Sequence, residues 1–180
     1  FGDFFWRLFL ETFFGDFFWR LFQKLFNKTI IFKIIIIICI MSIDDDTLLD
    51  ALENESNSSI IKLTSNKINQ HKNDVLQSLQ LDRDKLKKYH KKLKHYRYCS
   101  DVNDFQPGQY LRWINLKDPD NIKLTNGAFL IDIIFEKNKL HLQCKNNYNV
   151  FQVKYDEVIV FQKISQQENV ILTVLDYLEK

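Results

Sequence analysis

The sequence predicts an α+β protein: a small five-stranded β-barrel with a long basic helix before it and a short helix after it. Three observations carry that expectation. Short runs of alternating apolar and polar residues recur after Pro107, separated by Gly, Pro and Asn turn signals. The stretch before Pro107 repeats its apolar residues at helical spacing and contains neither Gly nor Pro between Asn73 and Tyr98. Basic residues gather in that same stretch, although the whole chain, with 25 Lys/Arg against 23 Asp/Glu, carries a formal charge of only +2. That small excess falls before residue 41, so the remainder is neutral overall and segregated locally.

The first 40 residues stand apart. Phe1–Phe13 is repeated almost unchanged as Phe14–Phe26, and both copies open with FGDFFWRLF. An isoleucine tract, Ile34–Ile38, closes the segment, and the only methionine, Met41, follows it. A membrane span needs ~20 consecutive apolar residues. The uninterrupted run Ile34–Met41, preceded by Lys33, is far shorter. It has the length of a signal-peptide apolar region, yet Ile43-Asp44-Asp45-Asp46 follows it instead of a small-residue cleavage site. A helix lying on a membrane surface would need its repeat to reinforce one face. At ~100° per residue the spacing of the copies turns the second by roughly 220°. Duplicated DNA explains such identity more simply, and the abundance of Phe, Ile, Lys and Asn fits an AT-rich genome. The expectation is a leader of translated upstream sequence over 1–40 and a protein that starts at Met41. A membrane-attached scaffold would require the leader to be real.

Residues 41–72 read as an acidic motif and a flexible linker. Asp44, Asp45, Asp46, Asp50, Glu53 and Glu55 surround a small apolar face of Leu48, Leu49 and Leu52. Asn, Ser, Lys and Gln then dominate 54–73, a composition typical of connectors. Residues 73–100 form the predicted basic amphipathic helix. Val75, Leu79, Leu86 and Leu93 make its apolar stripe, Tyr89 and Tyr96 take the alternate heptad position, and Asp82 interrupts it. Arg83, Lys85, Lys87, Lys88, Lys91, Lys92, Lys94 and Arg97 occupy the other faces.

Residues 101–180 hold the predicted barrel and its closing helix. Pro107-Gly108 turns the chain into a first strand, Gln109–Leu116, with Trp113 inside and Arg112 outside. Pro119 makes Lys117-Asp118-Pro119-Asp120-Asn121 a loop, because its ring fixes φ and it lacks an N–H. Asn126-Gly127 marks the next turn, both residues tolerating positive φ. Ala128–Glu136 places Phe129, Ile131, Ile133 and Phe135 on one face and Leu130, Asp132, Ile134 and Glu136 on the other. Lys137-Asn138 connects tightly to Lys139–Lys145, Asn146-Asn147 leads to Val150–Tyr155, and Val158–Lys163 is the fifth strand. Ser165-Gln166-Gln167-Glu168 has the form of a capping box ahead of a helix bearing Val170, Ile171, Val174, Leu175 and Leu178. Short strands joined in this way suggest an SH3/Sm/Tudor-like barrel, with the Tyr155-Asp156-Glu157 break before its last strand. The terminal helix would cover an open end or edge.

The stretches GQYLRWINLKDPDNIKLTNG and IVFQKISQQENVILTVLDYLEK resemble small SH3-like β-barrel proteins, uncharacterised in function, of large DNA viruses. The resemblance covers roughly residues 85–180 and excludes the leader. It implies an intracellular protein from an AT-rich viral genome and carries no activity to transfer.

Several function classes find no support in the residues. Cys39, Cys99 and Cys144 are odd in number and lack motif spacing, which fits a reducing compartment, cytoplasm or nucleus, rather than a disulfide scaffold. His90 and His95 lie roughly 140° apart around a helix. His95 with Cys99 supplies only two ligands, so no metal or other cofactor is expected. After Met41 the only glycines are Gly108 and Gly127, too few for a phosphate-binding loop, and no nucleophile or metal-protease motif occurs. Asp132 and Glu136 share a strand face at a spacing typical of a solvated edge, so no enzymatic activity is expected.

The basic helix is the strongest functional signal. Arg83, Lys87, Lys88, Lys91, Lys92, Lys94 and Arg97, with Arg112, Lys145 and Lys154 on the barrel, are the predicted nucleic-acid-binding residues. Cations along a phosphate backbone release counterions, and Tyr89, Tyr96 and Tyr98 could stack on unpaired bases. A solvated face that only maintains solubility is the competing reading, and a third is that acidic residues 44–55 shield the helix. Tyr110, Trp113, Lys123 and Tyr148 are further aromatic and basic candidates on the barrel, Trp113 being the one expected inside, and Tyr148 with Tyr155 could form a cage for methylated lysine, although such aromatics usually build core. The expectation is a non-enzymatic accessory module that binds nucleic acid without strong sequence preference. The alternative is a protein-interaction adaptor that docks a partner through the barrel or the heptad stripe.

Overall fold

A computed structural model of the chain describes residues 45–118 and 122–179. The leader, Cys39, Met41, Asp44 and Pro119-Asp120-Asn121 lie outside the described residues. Among the described residues the α-helices are α1 (Asp45–Glu53), α2 (Ser65–Ser78) and α3 (Arg83–Lys92), followed later by α4 (Gln166–Leu178). Between α3 and α4 run β1 (Tyr96–Cys99), β2 (Tyr110–Asn115), β3 (Ala128–Glu136), β4 (Lys139–Lys145), β5 (Val150–Lys154) and β6 (Val158–Lys163). The described residues divide into two compact units, one of 45–64 with 166–179 and one of 65–118 with 122–165.

In the first unit, α1 buries Leu48 and Ala51. The predicted linker is ordered instead, as two single 3₁₀ turns, Glu55–Asn57 and Ile60–Lys62. Its polar composition conceals two anchors. Ile60 is fully buried, and the Asn54 side chain caps the first turn by accepting from Ser56 N at 3.1 Å. The buried Asn57 side chain donates to Ala51 O at 2.8 Å and to Gln167 Oε1 at 3.2 Å, so its amide is satisfied. The terminal helix α4, expected to close the barrel, belongs to this unit. Its buried Ile171, Leu172 and Val174 lie on the stripe that packs with α1 and the Ile60–Lys62 turn.

In the second unit the single long helix predicted over 73–98 does not form. Its linker half and its basic half are separate helices, and its last residues are the strand β1. Helix α2 starts at Ser65 and ends in a turn where Gln80 adopts φ +48°. Asp82, the residue that broke the heptad, starts α3 by accepting from Asp84 N with its side chain. Leu93 ends α3, its N–H bonded to Tyr89 O at 2.8 Å. The alternating Tyr96-Arg97-Tyr98-Cys99 then suits a strand, because it sends the tyrosines one way and Arg97 and Cys99 the other.

Among the described residues the sheet is antiparallel, has six strands rather than five, and runs in the order β1-β6-β2-β3-β4-β5. It is an open sheet, with β1 and β5 at its edges. At one end the edges are joined by a side chain, the Tyr155 hydroxyl donating to Ser100 O at 2.9 Å. Strands β2 to β6 fall where alternation predicts them, within a residue or two at each end. The inner face buries Cys99, Phe105, Leu111, Leu130, Leu142, Cys144 and Val160, with Trp113, Phe151 and Val153 packed against them. The outer face of β1, β6 and β2 is covered by α2 and α3 through Leu76, Tyr89, Leu93, Tyr96, Ile114 and Phe161.

Strand β3 departs from the predicted facing. Leu130 pairs with Cys144 and Asp132 with Gln143, so Ile131 is an extra, bulged residue that reverses the alternation. Leu130 and Ile133 therefore both face the core, while Phe129, Ile131 and Phe135 are exposed. Gly127 precedes this strand at φ +101°, and a Cβ there would lie 2.2 Å from Leu111 O, so only glycine lets β3 approach β2.

Candidate functional site

Helix α3 meets the sheet with one face and water with the other. Leu86, Tyr89 and Leu93 pack into the outer cluster, and the Tyr89 hydroxyl donates to Ile122 O and accepts from Leu124 N, each at 3.1 Å. Lys72 of α2 fixes the other end. Only 3% exposed, its ammonium donates to Leu93 O at 3.0 Å and Tyr96 O at 3.2 Å. It thereby satisfies carbonyls left open where α3 ends, and burial pushes its pKa down from 10.5. His90 is pushed below 6.5 by burial and then by the Lys72 charge, so its imidazole is neutral near pH 7.

The opposite face carries Arg83, Lys85, Lys87, Lys88, Lys91 and Lys92, with Lys94 just beyond, and all are exposed. Among the described residues none of them pairs with a carboxylate. Arg83 and Lys87, Lys87 and Lys91, and Lys88 and Lys92 stand four apart, where like charges destabilise a helix by ~0.2–0.5 kcal/mol per pair. Only Asp82 and Asp84, at the helix start, temper this field. An arrangement that costs stability and exposes phosphate-binding groups side by side is suited to an extended polyanion.

A second surface continues from the C-terminal end of α3 across the outer face of the sheet. The Arg112 Nη1 donates to Lys92 O at 3.5 Å, and its guanidinium carbon lies 5.4 Å from the centre of the Tyr96 ring. Tyr96 pairs with Lys163, and Lys163 lies one step beyond Gln162, the partner of Leu111, which brings it beside Tyr110. Tyr110 pairs with Phe129, Phe129 with Lys145, and Lys145 with Val150. A cross-strand row of Tyr96, Lys163, Tyr110, Phe129, Lys145 and Val150 therefore crosses all six strands on one face. Tyr96 is buried beneath Arg112, Tyr110 is half-buried, and Phe129 is 53% exposed. The Tyr110 and Phe129 rings meet edge to face at 4.9 Å. Tyr148, 91% exposed, stands in the turn just past Lys145.

The predicted residues thus divide. Arg83, Lys87, Lys88, Lys91, Lys92 and Lys94 share the wet face of α3, and Arg112 and Lys145 lie on the adjoining sheet surface. Arg97 is a correction: it sits on β1, is 1% exposed, donates to Asp104 O at 2.6 Å and has its Nη1 3.6 Å from Asp104 Oδ1. Strand alternation turns it inward, so it cannot reach a phosphate. Lys154 is exposed, but its ammonium stands 3.7 Å from Glu157 Oε1. The methyl-lysine cage is a second correction. Tyr148 and Tyr155 flank opposite ends of β5, roughly 23 Å apart at ~3.3 Å per residue. Tyr155 packs edge-on against Phe105. Lys163 and Phe129 were missed, Lys163 because it matters only in register with Tyr110, and Phe129 because alternation grouped it with Ile133, from which the bulge separates it.

A cleft of about 330 Å³ opens elsewhere in this unit, lined by Trp113, Asn115, Phe151, Lys154, Glu157 and Val158 among others. Trp113 and Phe151 are its aromatic lining, with ring centres 6.0 Å apart. At the rim Lys117 donates to Glu157 at 2.8 Å and, with Lys154, holds that carboxyl below its usual pKa range. Asp118 and Asp156 adjoin the rim, so the cleft has no excess positive charge. Cys99 and Cys144 are buried free thiols in the inner cluster, and burial pushes Cys144 up to about 11. No cluster of His, Cys, Asp or Glu suited to a metal ion occurs among the described residues, and none of their helices is long and apolar enough to cross a membrane. No family model, curated protein or solved structure matches the chain.

Proposed function

We propose that this protein is a non-enzymatic accessory module that binds nucleic acid with little sequence preference. The observation that carries the reading is the α3 face: Arg83, Lys87, Lys88, Lys91 and Lys92 exposed together and unmatched by carboxylates among the described residues, on a helix whose other face is fixed to the sheet. A rigid cationic edge of this kind neutralises phosphates in a row and reads no base. Arg112 and Lys145 extend the charge onto the sheet. The sheet itself we take to be an SH3-like small barrel, a reading supported by the order β6-β2-β3-β4-β5 and by the 3₁₀ turn Tyr155–Glu157 before β6.

Changing Lys87, Lys88, Lys91 and Lys92 together to Glu tests the function. Binding to oligonucleotides at low salt should be abolished while the circular-dichroism spectrum and melting temperature stay near those of the parent; unchanged affinity refutes the role of α3. A protein-interaction adaptor is the second reading, favoured by Phe135, 70% exposed at the turn between β3 and β4. Absence of nucleic-acid binding at low salt would favour it.

A further inference from the structure

We infer that the open part of the outer-face row, from Lys163 to Val150, selects single-stranded nucleic acid, Tyr110 and Phe129 stacking on unpaired bases while Lys163 and Lys145 meet the backbone. The inference rests on the nucleic-acid reading and adds a substrate class to it. Helix α3 alone would not discriminate, because its cations address phosphates that single strands and duplexes share. The row differs in chemistry. From Lys163 through Tyr110 and Phe129 to Lys145, two neighbouring aromatics lie between two cations at the spacing of adjacent strands, ~4.8 Å, so five such steps carry the whole row ~24 Å from β1 to β5.

Phe129 and Val150, 53% and 54% exposed, keep apolar surface in water that a partner would cover. The flat face of a base covers an aromatic ring whatever its sequence, but only when the base is unpaired and turned outward. In a duplex those faces are stacked internally and cannot reach a sheet surface. Charge also argues for this occupant over a protein. Lysines are depleted from the centres of protein interfaces, yet Lys145 lies between Phe129 and Val150 in the middle of the patch. The row contains no carboxylate. The nearest on that face, Asp132, is turned to its own backbone and accepts from Ile133 N at 2.8 Å. Arg112, bonded to Lys92 O, joins the row to α3, so one strand can follow both surfaces in sequence.

Fluorescence anisotropy of the full chain with a labelled oligothymidylate, and with a duplex of equal length, tests the inference at low salt. The single strand should bind at least tenfold more tightly, and Phe129→Ala should weaken it about tenfold while leaving duplex affinity unchanged. Phe129 is half-exposed, so the variant should keep its fold, which circular dichroism verifies. If that variant were misfolded, photocrosslinking of the parent with 5-bromouridine-substituted RNA decides instead. Adducts at Tyr110 or Phe129 support the row, and adducts confined to α3 overturn it. Equal affinity for both forms, insensitive to Phe129→Ala, removes the inference and leaves the basic-helix reading standing. No binding of either form removes both.

Discussion

Tyr155 ties the two edge strands of the sheet together through its hydroxyl, and Arg97 fixes β1 to the turn that follows it. Arg97 places its guanidinium against Asp104, which also accepts from Ser100 N at 2.9 Å and Asp101 N at 3.0 Å. Arg97→Ala removes a buried donor and leaves Asp104 O without that partner. It should lower unfolding free energy by about 3 kcal/mol, read from urea denaturation, without altering affinity for nucleic acid. Equal loss of stability and binding would return Arg97 to the functional set. Tyr155 is pushed up from 10.0 to about 12, first by burial and then by neighbouring Tyr98, Cys99, Asp104 and Asp101. Its folded pKa lies above its unfolded one, so its stabilising contribution is complete below pH 10 and disappears as pH rises toward 12. Chemical denaturation across that window should show a falling midpoint in the parent and a flatter profile in Tyr155→Phe. An unchanged slope would mean that Tyr155 does not control the alkaline limit.

At the level of elements, turns decide more than strands do. Lys137 and Asn138 connect β3 to β4 with φ of +50° and +61°, the pair of left-handed conformations that a type I′ hairpin demands. Lys has no special tolerance for that region, so Lys137→Asn with Asn138→Gly should raise the melting temperature by a few degrees; a lower value would contradict the turn assignment. Strands β2 to β6 were legible in the sequence because each alternates between clear punctuation marks. Strand β1 was not. Tyr96-Arg97-Tyr98-Cys99 continues both the basic run and the heptad spacing, and nothing local distinguishes a strand there from another helical turn. Two further features depend on tertiary context. The bulge at Ile131 is fixed by pairing with β4, and the break at Gln80 by packing of two short helices onto one sheet rather than by Gly or Pro. The linker was misread because one buried isoleucine, Ile60, organises a stretch that is otherwise polar.

Across the whole molecule, charge and apolar surface are sorted by face. Six of the ten residues expected to meet nucleic acid share the wet side of α3 and the turn after it, because the same periodicity that sends Leu86, Tyr89 and Leu93 to the sheet sends the lysines away from it. The sheet half of the site was only partly legible. Arg112 and Lys145 could be picked out by type, but the row they adjoin exists only once register sets Lys163, Tyr110 and Phe129 side by side. The partner of α4 was likewise invisible, since an apolar stripe states that a helix must pack and not against what. The central claim, that α3 stays available to a polyanion, is tested most directly by the salt dependence of binding to a single-stranded oligonucleotide. Log affinity should fall steeply against log salt, with a slope of about −0.7 for each phosphate neutralised. In a variant with Lys87, Lys88, Lys91 and Lys92 changed to Gln the slope should become shallower by roughly 3. A slope near zero in the parent, or the same slope in both proteins, would contradict the account.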